Sequence, residues 1–287
     1  MSRIFIALSS LLLAACGSNH YGKPASAPPQ PIETRFEITR GVVYTPAGWP
    51  APLTADIYRP QGPGPFPSVL AIHGGAWKRG DYGYTDGLSE ELAQRGYLVV
   101  NIKYRLVPQY VWPAQLRDVQ QAVRWMRSAA GRKFGVDPRR IGTFGYSAGG
   151  HLAALVAGVA DDPQWGAPGT AIKAVVAGGI PSDLPRFKHG ELVPAFIGGP
   201  WEQKSADFVA ASPVTHVHRG HPPVFIYHGG LDSLVPIEQA EVYREALARA
   251  GVTHEYFVIR GHGHISAALA DNAAMEAALE FLDRYLR

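Results

Sequence analysis

A serine, a carboxylate and a histidine lie far apart in this chain, yet each follows the end of a predicted strand. Ser147 occupies Gly145-Tyr-Ser-Ala-Gly149, between the apolar run Arg140–Phe144 and the Ala/Leu-rich stretch His151–Ala160. Strand, sharp turn and helix in that order lift the hydroxyl above a sheet. The glycines two before and two after it leave room for neighbouring backbone. Chance yields such a pentapeptide roughly 0.2 times in a chain of this length and composition, so the weight rests on flanking elements and partners.

A serine hydroxyl is a poor nucleophile at neutral pH and needs a base within hydrogen-bond reach, itself oriented by a third group. The last predicted strand runs into Ile259-Arg-Gly-His-Gly-His-Ile265, where His264 is the expected base and His262 its competitor, with a role in shaping the loop. Asp232, in His228-Gly-Gly-Leu-Asp-Ser-Leu-Val-Pro236, is the expected acid. Its plainer role would be a helix N-terminal cap or a turn residue. Asp183, in Ile180-Pro-Ser-Asp183, is the rival carboxylate. Electrophilic help must come from donors set in advance. His73-Gly-Gly-Ala-Trp77 follows the strand Pro67–Ile72, and its glycines let amides turn inward. Ala148, after the serine, supplies the other arm. His73 is expected to steady that loop and His151 to satisfy a local contact on the elbow helix. Ser147, Asp232 and His264 come in that order, 85 and 32 residues apart. The constellation describes acyl transfer to water without a cofactor. His216, His218 and His221 lie close in sequence but lack the Cys or carboxylate partners of a metal site, so none is expected.

The positioning elements read as an α/β fold. Glu33–Tyr44 and Leu53–Tyr58 alternate polar and apolar residues and predict an antiparallel edge hairpin. Pro67–Ile72, Tyr97–Ile102, Arg140–Phe144, Ile172–Ala177, Val224–Tyr227 and Tyr256–Ile259 are short, continuously apolar runs. Runs of that kind, separated by helical stretches, predict a mostly parallel sheet covered on both faces. Helices are expected after Pro113, with a stripe of Leu116, Val119, Val123 and Met126, and after Pro236, closed by Gly251. A last helix carries Ala274, Ala278, Phe281, Leu282 and Tyr285 on one side. Between Ile180 and Ser212 periodicity fails, which suits a cap over the carboxyl edge of the sheet.

The 287 residues are 46% hydrophobic and 18% charged, with net charge +3 and no basic block, which argues against nucleic-acid binding. No stretch of about 18 apolar residues is present, so no spanning helix is expected. The single cysteine excludes an intrachain disulfide. Arg3, then Ile4–Leu8 and Leu11–Ala15, make a positive head and an apolar core. Leu13-Ala-Ala-Cys16 resembles the lipobox of bacterial lipoproteins. That resemblance implies a signal peptide over residues 1–15 and acylation of Cys16. It also implies a membrane anchor, with Gly17 favouring the periplasmic face of the outer membrane. Residues 16–32, rich in Ser, Pro, Gly and Ala, are expected as a flexible tether, and 33–287 as the folded domain.

From Thr54 to Arg287 the chain resembles the α/β-hydrolase superfamily, and within it the hormone-sensitive-lipase-like esterases and their short His-Gly-Gly-x-Trp relatives. The likeness rests on His73–Asp81, Asn101–Pro108, Pro113–Trp125, Gly145–Leu152, His228–Pro236 and Gly261–His264. It implies that the amides of Gly75 and Ala76 form the loop arm of the oxyanion hole. Ala76 stands where hormone-sensitive-lipase relatives usually carry a third glycine. Ala76-Trp77 is closer to the branch of carboxylesterases, feruloyl and acetylxylan esterases and kynurenine formamidases. The expected substrate is a small ester with a short or medium acyl chain or a small aryl acid. Amide or formamide hydrolysis by the same triad is the alternative, and a non-catalytic tethered binding module the remoter one.

Overall fold

The computed structural model describes residues 18–269 and 272–287. The predicted leader and Cys16 lie outside the described residues. In chain order the strands are β1 (Asn19–Tyr21), β2 (Phe36–Val43), β3 (Thr54–Pro60), β4 (Phe66–Ile72), β5 (Leu98–Ile102), β6 (Val136–Tyr146), β7 (Ala174–Gly178), β8 (Val224–Gly229) and β9 (His254–Ile259). They form one sheet in the order β1-β9-β8-β7-β6-β4-β5-β3-β2. From β5 to β9 across the sheet the pairings are parallel, whereas β2, β3 and β1 pair antiparallel at the two edges.

The unbroken apolar runs follow from burial on both faces. In β4, Leu70 and Ile72 enter one hydrophobic cluster while Val69 and Ala71 enter the other. Helices α2 (Ala114–Arg127), α4 (Ala148–Gly158) and α7 (Glu238–Arg249) cover the first face. The second is covered by α1 (Asp86–Gln94), α8 (His264–Leu269) and α9 (Asn272–Leu286). Short α3 (Ala129–Phe134) leads back into β6. The expected cap is a pair of short helices, α5 (Leu192–Ile197) and α6 (Trp201–Ala210), rather than an irregular loop.

Two features place the site. β4 lies between β5 and β6, so the connections after β4 leave in opposite directions and open a crevice at the carboxyl edge. The N-terminal segment departs from expectation. Asn19–Tyr21, inside the stretch read as tether, adds an antiparallel strand to β9. His20 bonds Glu255 at 2.8 Å, and the ring of Tyr21 stacks on Tyr256 at 5.9 Å. Composition missed this because an edge strand gains its bonds from the sheet rather than from its own residues.

Candidate active site

Ser147 is the residue before α4, with φ 57° and ψ −123°. A left-handed φ at a non-glycine residue costs on the order of 1–3 kcal/mol and persists only where the surroundings impose it. Here the Ser147 amide donates to the Gly178 carbonyl at 2.8 Å, and its own carbonyl accepts from the His151 amide at 2.9 Å. A Cβ on Gly149 would strike the Ile72 carbonyl oxygen, and one on Gly145 would strike Gly149. Strand and helix therefore meet closer than any side chain permits, which aims the hydroxyl out of the sheet.

The structure brings Ser147, His264 and Asp232 into one chain of hydrogen bonds. Ser147 Oγ lies 2.9 Å from His264 Nε2, and His264 Nδ1 lies 2.6 Å from Asp232 Oδ2. A carboxylate only accepts, so Nδ1 carries the proton and Nε2 presents its lone pair to the serine. Asp232 Oδ1 accepts the amides of Leu234 at 3.0 Å and Val235 at 2.8 Å. Asp232 caps no helix, since α7 begins at Glu238; it closes its own turn on one oxygen and pairs with histidine through the other. Burial works to raise the Asp232 pKa. Donors from His228, His264 and the Val235 amide outweigh it and hold the carboxyl well below the usual carboxylate range.

The loop after β4 lies against the serine: a Cβ on Gly74 would sit 3.6 Å from that of Ser147. Gly75, Ala76 and Trp77 all have positive φ, at 107°, 55° and 56°. The Gly75 carbonyl accepts from the amides of Lys78 and Arg79, both at 3.1 Å, which closes the turn. None of the amides of Gly75, Ala76 and Ala148 donates to a main-chain carbonyl among the described residues. Ala148 opens α4, where first-turn amides are unpaired and the helix dipole favours negative charge. His73, as expected, steadies this loop. Its Nδ1 is 2.7 Å from the Gly74 carbonyl and its ring stacks on Tyr104 at 4.2 Å.

The rivals are placed elsewhere. His262 contributes its carbonyl, which accepts the Leu231 amide at 2.9 Å and so ties the acid loop to the base loop. Asp183 accepts from Arg186 Nε at 2.8 Å at the foot of the cap. His216 bonds the Ala210 carbonyl and His221 the Pro222 carbonyl.

Two positioning residues, His228 and Tyr146, escaped the sequence reading, and a third, His151, was expected to make only a local contact but bonds distant segments instead. His228 Nε2 is 2.7 Å from the Val235 carbonyl and 3.3 Å from Asp232 Oδ2, so its proton is shared between loop and acid. Tyr146 donates its hydroxyl to the His264 carbonyl at 2.7 Å and lays its ring 5.1 Å from the imidazole. His151, buried in α4, receives the indole N–H of Trp77 on Nδ1 at 3.3 Å, and its Nε2 lies 2.7 Å from the Ala211 carbonyl. Trp77 also stacks on Phe196 of α5 at 4.3 Å. The strained loop after β4 is thus held by a histidine on α4 and by the cap. Position within the Gly-x-Ser-x-Gly and His-Gly-Gly motifs was the available signal, but bonds that join separate loops are not written in any one of them.

The family model described as BD-FAE matches residues 55–247, about two thirds of the chain. A Mycobacterium tuberculosis protein named probable carboxylic ester hydrolase LipM is 34% identical over 197 residues, covering 64% of this chain and 45% of its own. The chain spans about half the length of the curated relatives it matches first. A carbohydrate esterase from gut microbiota superposes with TM-score 0.75 at 23% identity, over 90% of this chain and 98% of that one. The propionate-bound esterase 2 of Thermogutta terrifontis superposes with TM-score 0.72 at 28% identity, over 86% and 93%.

Proposed function

We propose, from the premise that this chain belongs to the BD-FAE family and has the α/β-hydrolase fold, that it is a serine carboxylic-ester hydrolase. The observation that carries the reading is the unbroken bond chain Asp232–His264–Ser147 beside unspent amides.

In that role His264 Nε2 takes the Ser147 proton as Oγ attacks the ester carbonyl, and Asp232 stabilises the imidazolium that forms. The amides of Gly75, Ala76 and Ala148 receive the developing oxyanion without having to reorient. Nε2 then protonates the leaving alcohol, and water repeats the cycle on the acyl-enzyme. The cap of two short helices, six and ten residues long, supports short or medium acyl chains or small aryl acids. The propionate held by the Thermogutta relative supports the same range. We further propose that the chain is tethered to a bacterial envelope membrane through an acyl group on Cys16, on the strength of the Leu13–Cys16 signal.

Labelling with a fluorophosphonate probe tests the hydrolase reading. The full chain should label, Ser147→Ala should not, and Ser147→Ala should lose at least about 10³-fold in turnover. Full esterase activity in that variant would overturn the assignment. A series of acetate, butyrate, octanoate, feruloyl and N-formyl substrates then separates acyl-chain preference from amidase activity.

A further inference from the structure

Four large aliphatic side chains stand out in water beside the triad. Leu231 and Leu234 are 68% and 51% exposed on the loop that carries Asp232. Ile265 and Leu269 are 65% and 82% exposed on α8, whose first residue is His264. The two loops are joined by the Leu231 amide on the His262 carbonyl. Residues four apart on a helix share a face, so Ile265 and Leu269 point the same way, while Ala267 turns inward to the core. Of the four exposed residues of α8, Ile265, Ser266, Ala268 and Leu269, three are apolar, where a helix bordering water is ordinarily polar. A cluster of this kind marks a surface that something covers.

The path of the chain indicates what covers it. β9 runs toward the carboxyl edge, and β1 is antiparallel to it, with Asn19 opposite Val258 and Tyr21 opposite Tyr256. The chain therefore enters the fold at the same edge that holds the triad. Cys16 precedes Asn19 by three residues, and three residues reach at most about 11 Å. An acyl group on Cys16 would hold the bilayer against the catalytic edge, not at the end of a long leash. Arg260, exposed at the end of β9, adds a cation on that edge for anionic headgroups.

We infer that the ridge of Leu231, Leu234, Ile265 and Leu269 docks on a lipid bilayer, so that the triad receives esters presented by the membrane. The inference rests on the anchored reading made above. The test uses the full chain, with acylation of Cys16 read by mass, reconstituted in phosphatidylcholine–phosphatidylglycerol vesicles. Leu269→Cys and Gln61→Cys are labelled with an environment-sensitive fluorophore. Gln61 is exposed in the β3–β4 turn at the opposite edge of the sheet. Doxyl-labelled lipids should quench the probe at 269 at least twofold and leave that at 61 unchanged. In Leu231→Gln/Leu269→Gln, hydrolysis of water-soluble p-nitrophenyl acetate should stay within twofold. Hydrolysis of a medium-chain ester dissolved in the vesicles should fall at least tenfold.

Equal quenching at both positions, or undiminished vesicle hydrolysis, with Cys16 acylated, overturns the docking ridge and leaves the anchor standing. A chain without acyl on Cys16 overturns the anchor and the ridge together. Loss of p-nitrophenyl acetate hydrolysis in the unsubstituted chain would instead count against the hydrolase reading.

Discussion

His264 and His151 are both buried, and both use their two ring nitrogens, yet they are built for opposite purposes. His264 gives its Nδ1 proton to a carboxylate and leaves Nε2 facing a hydroxyl. His151 accepts on Nδ1 from an indole, which can only donate, so its proton sits on Nε2 and goes to the Ala211 carbonyl. No carboxylate among the described residues bonds it, and burial pushes its pKa down to about 4, against a smaller upward pull from that carbonyl. One ring can take up a proton during reaction because Asp232 stabilises the cation. The other stays neutral and acts as a rigid two-ended connector. Partners, not residue type or burial, separate a base from a brace.

The comparison breaks first at the carboxylate. Asp232→Asn keeps the shape but can offer its amide N–H to Nδ1, which turns the imidazole to the wrong tautomer. Turnover should fall roughly 10⁴-fold by analogy with other triads. The amides of Leu234 and Val235 still find an acceptor oxygen, so the loop should hold. Steady-state kinetics alongside thermal melting checks this, and a fall of less than tenfold with an intact fold would remove Asp232 from its role.

The brace should give a smaller, different effect. His151→Leu removes the acceptor that holds Trp77, and with it the restraint on the left-handed Ala76-Trp77 pair. Loss of a single oxyanion donor costs about 10²–10³ in turnover, so a loosened arm should cost roughly 10–100-fold in kcat with KM little changed. His151→Gln can both accept from the indole and donate to Ala211, and should recover most of it. Trp77→Phe keeps a ring to stack on Phe196 but loses the N–H, and combined with His151→Leu should cost no more than either alone. Additive losses would show that the two residues act separately.

The contrast also measures what could be read from the chain. Elements buried on both faces, such as Val69–Ile72, declare themselves because every position must be apolar. The ends of those strands then locate Ser147, Asp232 and His264 with no knowledge of their contacts. Gly261 and Gly263 precede His262 and His264 alike, so in the sequence only the helical stretch that follows favours His264. Tyr146 stayed silent and His151 showed only a local role because each acts through a bond to a distant segment, while His228 was hidden within the loop it braces. β1 was invisible for a related reason: Asn19–Tyr21 has no pattern of its own and borrows its order from β9.

The finest test of the brace lies in acid. His73, His151 and His221 are each pushed down to about 4, chiefly by burial, against about 6.5 when unfolded. Between those values the unfolded chain binds more protons than the folded one. Their contribution is therefore fully present above pH 6.5 and is lost as pH falls toward 4. Each group removes about 1.4 kcal/mol per pH unit across most of that window. Asp232, held below its ordinary range, loses its contribution only below about pH 4 and so stays out of the measurement. Asp118 and Glu91, raised chiefly by burial, work in the opposite direction in this range, so the test compares slopes: urea unfolding at pH 7, 6, 5 and 4.5 should show, in His151→Gln, a shallower slope than in the unsubstituted chain, from a lower starting stability. His73→Asn should also flatten the slope, since its ring lies buried and bonds no carboxylate among the described residues. An unaltered slope in His151→Gln would mean that the ring already carries charge in the folded chain, and the distinction between base and brace would be lost.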